Sequence, residues 1–192
     1  MVESPADLTE FKQHLNKNSV PDGDDAELQT MLEAATEAAE GWAPKGMGAV
    51  GPIVVRTVTD RLRVRNGRGF LISTPIQSVT TITRVDDGLA FATADLDVSP
   101  TSGLVRGLNT YLPGGTYTAV YEAGRNPVPN SLKLAVLILG AHMWKTQRGP
   151  KRGGGLGGAR DGDQPEHRVG AGYLIPNQAA TLMTPHTQAL IR

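Results

Sequence analysis

Apolar residues recur along this chain with two different periods. Over residues 4–15 they fall at Leu8, Phe11 and Leu15, the spacing of one helical face, behind Ser4 as a cap and Pro5 at the first helical position. The stretch SVPDGDD reads as a turn. Its aspartates favour the positive end of a second helix whose stripe is Leu28, Met31, Leu32, Ala35, Ala39 and Trp42. Helices over 4–16 and 24–41, joined by that turn, predict an αα-hairpin. After GWAPKGMGAVGP the period shortens. Residues 53–59, 62–65, 69–73 and 79–85 are β-branched runs divided by Gly, Pro and Asn, so 50–123 predicts an antiparallel β-rich section. TRVDDGLAF carries the Asp-Gly signature of a hairpin, SPTSGL marks another turn, and GGTYTAVYEAG supplies a last strand.

The segment GRNPVPNSLKLAVLILGAHMW returns to the helical period. Pro129 suits a first helical position, and the pattern predicts a helix over 129–147. Leu132, Ala135, Val136, Leu139 and Met143 form one apolar face, and Leu134, Leu137, Ile138 and Ala141 form a second beside it. A helix apolar nearly all round is normally buried, and a chain this small rarely covers one completely by itself. Leu132, Leu134, Val136, Leu137, Ile138, Leu139, Met143 and Trp144 are therefore expected in the core or against a partner surface.

Residues 149–169, opening with GPKRGGGLGGARDG, have the low complexity of a flexible strap. Beyond it, residues 170–192 carry Tyr173, Leu174, Ile175, Leu182, Met183, Leu190 and Ile191, separated by Pro and Gly that oppose a long helix. That pattern predicts an extended C-terminal arm that docks on another surface. The fold class expected from the whole is α+β: an N-terminal helical hairpin and a C-terminal apolar helix packed together within residues 1–148, with the β-rich section inserted, then strap and arm.

Composition narrows this picture. With 192 residues, 39% hydrophobic and only 5% aromatic, the chain has enough material for a modest, aliphatic core. Without cysteine there is no disulfide framework, thiolate metal site or cysteine nucleophile, and a reducing, intracellular assembly site is expected. MVESPADLTEF lacks a basic region followed by an apolar run, and the apolar run that includes 135–139 is far too short for a bilayer. A soluble, unprocessed protein without membrane contact is expected. Formal net charge is zero, yet residues 1–50 hold ten acids against three bases and the remainder nine acids against sixteen bases. Such a two-ended chain suits head-to-tail contact between identical copies, as well as unequal solvated surfaces.

Candidate chemistry is sparse. His14, His142, His167 and His186 are scattered, none at the spacing of a zinc-binding helical pair, so no metal is expected. His142, beside the apolar helix faces, reads as a structural histidine. No G-x-S-x-G elbow occurs, and Asp86-Asp87 falls in the hairpin turn, where aspartates make local hydrogen bonds. No nucleophile stands beside a base and an orienting group, so neither enzymatic activity nor a cofactor is expected. The Gly-rich strap has no strand leading into it and no Gly-Lys-Ser/Thr, which removes the nucleotide-binding loops. Its bases, with Lys151, Arg152 and Arg160 foremost, are candidates for sequence-independent contact with DNA phosphates, with a solvated linker as the alternative.

The order of PADLTEFKQHLN, DDAELQTMLEAATEAAEGW, SVTTITRVDDG and YTAVYEAGRNPVPNSLKLAVLILGAHMWKTQR resembles the head-tail connector, or adaptor, proteins of tailed double-stranded DNA bacteriophages, over roughly Pro5 to Arg148. The resemblance implies a non-enzymatic ring, typically dodecameric, in the virion neck between capsid portal and tail, assembled in the host cytoplasm. Such a ring binds the portal protein, continues the channel for passing double-stranded DNA, and offers a surface to a head-closure or tail-terminator protein. Compact members of that family are mainly helical, so the long β-rich section departs from the pattern, and strap and arm run past the family's last helix. The arm residues Tyr173, Leu174, Ile175, Leu182, Met183, Leu190 and Ile191 are then expected to dock on the portal. Alternatives are a nucleic-acid-binding accessory protein using the basic strap, or a head-closure or tail-terminator ring protein.

Overall fold

The computed structural model describes residues 3–16, 24–108, 110–148 and 175–188. Two helices open the chain, α1 (Leu8–His14) and α2 (Asp25–Gly41). Helix α1 starts later than the Ser4 cap predicts, because Asp7 and Glu10 form a capping box. The Asp7 side chain accepts from the Glu10 N–H at 2.7 Å, and the Glu10 carboxylate accepts from the Asp7 N–H at 3.1 Å. Two otherwise orphaned donors are satisfied reciprocally there, which Ser4 does not match. Helix α2 buries Leu28, Met31, Leu32, Ala35 and Ala39 as its stripe predicts, with Trp42 partly buried beside them.

Seven strands follow: β1 (Arg56–Val64), β2 (Arg68–Phe70), β3 (Ile76–Arg84), β4 (Ala90–Phe91), β5 (Leu96–Val98), β6 (Leu104–Gly107) and β7 (Gly115–Ala123). They form two antiparallel sheets, one in the order β1-β7-β3-β4 and one in the order β2-β6-β5. Strand β1 runs straight through the break expected between its two apolar runs. Asp60 there accepts a hydrogen bond from the Tyr121 hydroxyl, and Arg61 faces solvent, so polar side chains interrupt the apolar run without interrupting the ladder. At Asn66-Gly67 both residues have positive φ, 52° and 73°, as a two-residue hairpin turn of matching twist requires. That turn carries the chain from the first sheet to the second.

Leu62, Val64, Ile82, Leu96, Val105, Leu112 and their neighbours form a core around Tyr117 and Tyr121, both fully buried. Most of the buried residues are aliphatic, as composition predicts, with the two tyrosines as the departure in this cluster. Tyrosines sit at the centre because their polar ends are satisfied: Tyr117 donates to the Pro113 carbonyl at 2.8 Å, and the Tyr121 hydroxyl accepts from the Ser73 N–H at 3.0 Å while donating to Asp60. Burial, with the Asp60 hydrogen bond adding to it, pushes the Tyr121 phenol up to about 12.

A second core is helical. Helix α3 (Asn130–Arg148) lays Leu132, Ala135, Val136, Leu139, Ala141 and Trp144 against Phe11 and the α2 stripe. Gly140 permits the closest approach, since a Cβ there would sit 2.9 Å from the Phe11 ring. The second apolar side of α3 is covered in part within the same chain: Ala141 is buried, Leu137 and Ile138 are partly buried, and Leu134 is exposed. Helix α4 (Asn177–Met183) packs on α3 and inserts Ala179 and Met183, both fully buried. The expectation of an extended arm is therefore corrected over 175–188, and the core runs past residue 148. Pro176 and Pro185 exclude a long helix but bracket a short one, in which Pro176 stands at the N-cap.

Candidate functional site

The helical core and the β core meet at a compact polar junction. Glu40, on the last turn of α2, is buried; its carboxylate accepts the Ile53 N–H at 2.8 Å and pairs with Arg56, at the start of β1, at 2.8 Å. Arg125, just after β7, donates to the carbonyls of Pro52 at 2.9 Å, Val50 at 3.0 Å and His186 at 3.0 Å. Three carbonyls from two distant segments are thus held by one guanidinium fork. Burial lowers the Arg125 pKa, with the charge of Glu40 opposing that shift.

The C-terminal segment closes the junction. The His186 Nε2 and the Ser131 hydroxyl are 2.8 Å apart, and burial, followed by the charge of Arg125, lowers the His186 pKa. Gln188 donates from its amide to the Thr74 carbonyl at 2.8 Å and exchanges backbone bonds with Gly48 and Ala49. Beside these residues opens a groove of about 650 Å³ lined by Gly48, Phe70–Ile72 and Pro185–Gln188. Phe70 and Ile72 stand exposed on it, Ile72 at 72%.

Two further apolar protrusions lie away from the groove. Val85 and Leu89 flank the β3–β4 turn, and Leu108 and Tyr111 project from the β6–β7 loop, Tyr111 at 70% exposure. Their loops are positioned by paired strands, an arrangement that suits contact with another protein. Among the described residues no group of His, Cys, Asp or Glu is arranged to hold a metal, and no helix is long and apolar enough to cross a membrane.

A protein-family model described as Head completion protein matches residues 6–186. The chain belongs to the head completion protein family. Among solved structures of similar fold, a chain in the neck of an empty GTA particle computed with C6 symmetry aligns with a TM-score of 0.67 at 20% identity, covering 98% of this chain and 92% of that one. A chain in the virion of a native gene transfer agent (GTA) particle aligns at 0.66, again with 20% identity and coverage of 98% and 92%. A third, in the neck of a native GTA particle computed with C12 symmetry, gives 0.64 at 20% identity, covering 100% and 97%. A comparison with curated proteins finds no match.

The family match reaches His186, so the segment carrying α4 falls within the family's extent rather than beyond it, contrary to the expected end near Arg148. The predicted site residues divide accordingly. Leu132, Val136, Leu139 and Trp144 are buried in this head completion protein's own helical core, Leu137, Ile138 and Met143 are partly buried against it, and Leu134 is exposed. Of the arm residues, Met183 is fully buried and Ile175 and Leu182 pack on the same core, which corrects their placement on an extended arm. Tyr173, Leu174, Leu190 and Ile191, together with Lys151, Arg152 and Arg160, lie outside the described residues. Sequence reasoning missed Glu40 and Arg125, whose partners are set by long-range packing, and the exposed Phe70, Ile72, Leu108 and Tyr111.

Proposed function

We propose that this head completion protein is a non-enzymatic component of a phage-like neck. It assembles as a ring of twelve copies beneath the portal protein. There it extends the channel for double-stranded DNA and presents a surface to the next neck or tail protein. The observation that carries this reading is the family match over almost the whole chain, residues 6–186. Likeness of fold to chains from necks computed with C6 and C12 symmetry supports the ring. The exposed pairs Val85 with Leu89, Leu108 with Tyr111, and Phe70 with Ile72 supply the apolar contacts that such neighbours need. Portal docking by the tail rests with Tyr173, Leu174, Leu190 and Ile191, since Ile175, Leu182 and Met183 are committed to the core.

The test is the copy number of this protein relative to portal protein in purified particles, measured by quantitative mass spectrometry. A ratio near one is expected of a stoichiometric ring. Absence from particles overturns the neck assignment and favours a nucleic-acid-binding accessory role.

A further inference from the structure

The outward face of the four-stranded sheet carries chemistry that neither core explains. Along β1 the residues alternate, with Leu62 and Val64 buried and Arg61, Arg63 and Arg65 exposed. Arg68 stands exposed across the Asn66-Gly67 turn, where it bridges to Arg65. The register places Arg61 opposite Thr118 and Arg63 opposite Thr116 on β7, with Thr83 of β3 on the far side of Thr118. Thr59 and Thr81 flank Val120 in the same way. One face thus presents a row of arginines beside a lawn of threonine hydroxyls.

Three further observations say what such a face is for. Other surface arginines of the sheets are matched, Arg56 by Glu40, Arg84 by Asp86 and Asp87, and Arg106 by Asp97. Arg61, Arg63, Arg65 and Arg68 have no carboxylate partner among the described residues. Asp60 lies on the opposite side of the strand, bonded to Tyr121, Asp86 and Asp87 at the near end of the sheet are paired with Arg84, and Glu122 at the far end of the face is bonded to Ser78. Finally, arginine and threonine dominate the paired rows of this face, with Val120 among them and Val85 just beyond their end beside Thr116, whereas protein interfaces are built around apolar and aromatic anchors.

We infer that this sheet face binds the phosphate backbone of double-stranded DNA, without sequence preference, through Arg61, Arg63 and Arg65. Guanidinium groups and hydroxyls are the side chains that contact phosphates, and interfaces with DNA are polar and strongly positive. Alternate residues of a strand lie about 6.8 Å apart, so the three arginines offer an evenly spaced row of positive charge along which a phosphate backbone can lie. The site belongs to the single chain, involves none of Lys151, Arg152 and Arg160, and does not depend on the ring.

The experiment measures binding of the purified full chain to a fluorescein-labelled mixed-sequence duplex of roughly 30 base pairs, about three helical turns, by anisotropy across a salt series. Arg61→Gln/Arg63→Gln/Arg65→Gln is compared with Lys151→Gln/Arg152→Gln/Arg160→Gln and with the single change Arg63→Glu, melting curves confirming that each is folded. The sheet variant is expected to bind at least about 10-fold more weakly than the wild type, and its log K against log salt slope to flatten by about 2 to 3. Arg63→Glu weakens binding in the same direction, and the strap variant retains most of it. A wild type that does not bind, a sheet variant that binds equally, or loss confined to the strap variant overturns the assignment. So does a sheet variant that keeps DNA binding but loses self-association by sedimentation velocity, which would give this face to the acidic surface of a second copy.

Discussion

The two cores of this protein are closed in opposite ways. The β core is continuous in sequence, with every buried member between Leu62 and Ala123. The helical core is assembled from three separated pieces, residues 6–53, 132–144 and 179–183. A continuous core is complete once its own strands pair, whereas a discontinuous one depends on its last piece. The helical unit therefore owes its integrity to a helix of seven residues that arrives across a Gly-rich segment. Both tryptophans, Trp42 and Trp144, belong to that unit, so their fluorescence reports its unfolding separately from the β core.

The largest effect follows from that dependence. Met183 is fully buried among α3 residues, and Met183→Ala is expected to destabilise the helical unit by about 2 to 5 kcal/mol, the range for emptying a buried large side chain. In urea titrations the tryptophan transition moves to lower denaturant, while the assigned ring resonances of Tyr117 and Tyr121, followed by NMR, keep their midpoint. Coincident shifts of both signals would break the distinction between the two cores and make them one cooperative unit.

The junction decides how far the two cores share their stability. Glu40→Ala removes the acceptor for the Ile53 N–H and the partner of Arg56 together. Loss of a hydrogen bond to a charged group costs about 1.5 to 3 kcal/mol, and here both transitions are expected to shift because Glu40 touches both sides. Arg56 is 43% exposed, so its ion pair adds little and Arg56→Gln is expected to cost well under half as much. A smaller change, Gly140→Ala, acts on the helical unit alone. Helix propensity favours alanine by about 1 kcal/mol, but the new Cβ would press on the Phe11 ring, and overpacking typically costs about 1 to 3 kcal/mol. A net loss of about 1 kcal/mol in the tryptophan transition is expected; a net gain would show that Phe11 moves aside freely.

How much of this was legible in the sequence depends on how local each signal is. The α2 stripe and the α3 faces were readable because many apolar residues repeat at one period. The β3–β4 hairpin was readable because Asp-Gly sets its turn. Helix α4 was not, since only Ala179 and Met183 of its residues are buried and its partner lies some forty residues upstream. Prolines at 176 and 185 forbid a long helix, and the short one they delimit is too brief to show a period. Tyr117 and Tyr121 alternate with threonine and valine as a half-buried strand should, yet nothing local says that Pro113, Ser73 and Asp60 will satisfy their hydroxyls. The run Arg61-Leu62-Arg63-Val64-Arg65 has strict period two, but two charges in succession at Asp60-Arg61 look like the end of a strand.

The smallest predicted effect concerns protons at the junction. His186 sits against Ser131 and Arg125, and burial together with that positive neighbour holds its pKa below the usual 6.5. The folded chain therefore binds a proton at His186 less readily than the unfolded chain does, so stability contributed by the neutral ring is fully present above about pH 6.5 and is lost as pH falls through the lowered folded value. Protonation also makes both ring nitrogens donors, so that Nε2 can only donate toward the Ser131 hydroxyl, and it leaves a cation beside a guanidinium. Melting temperatures followed from pH 7.5 down to about 5 are expected to fall less steeply in His186→Gln than in the wild type, because glutamine offers an acceptor near Nε2 without titrating. Since His186 joins the helix carrying Ser131 to the carbonyl net around Arg125, the extra loss in the wild type is expected first in the tryptophan signal. Identical pH profiles for the two proteins would mean that Gln188 and Arg125 hold the segment by themselves, and the junction would then be insensitive to the state of its histidine.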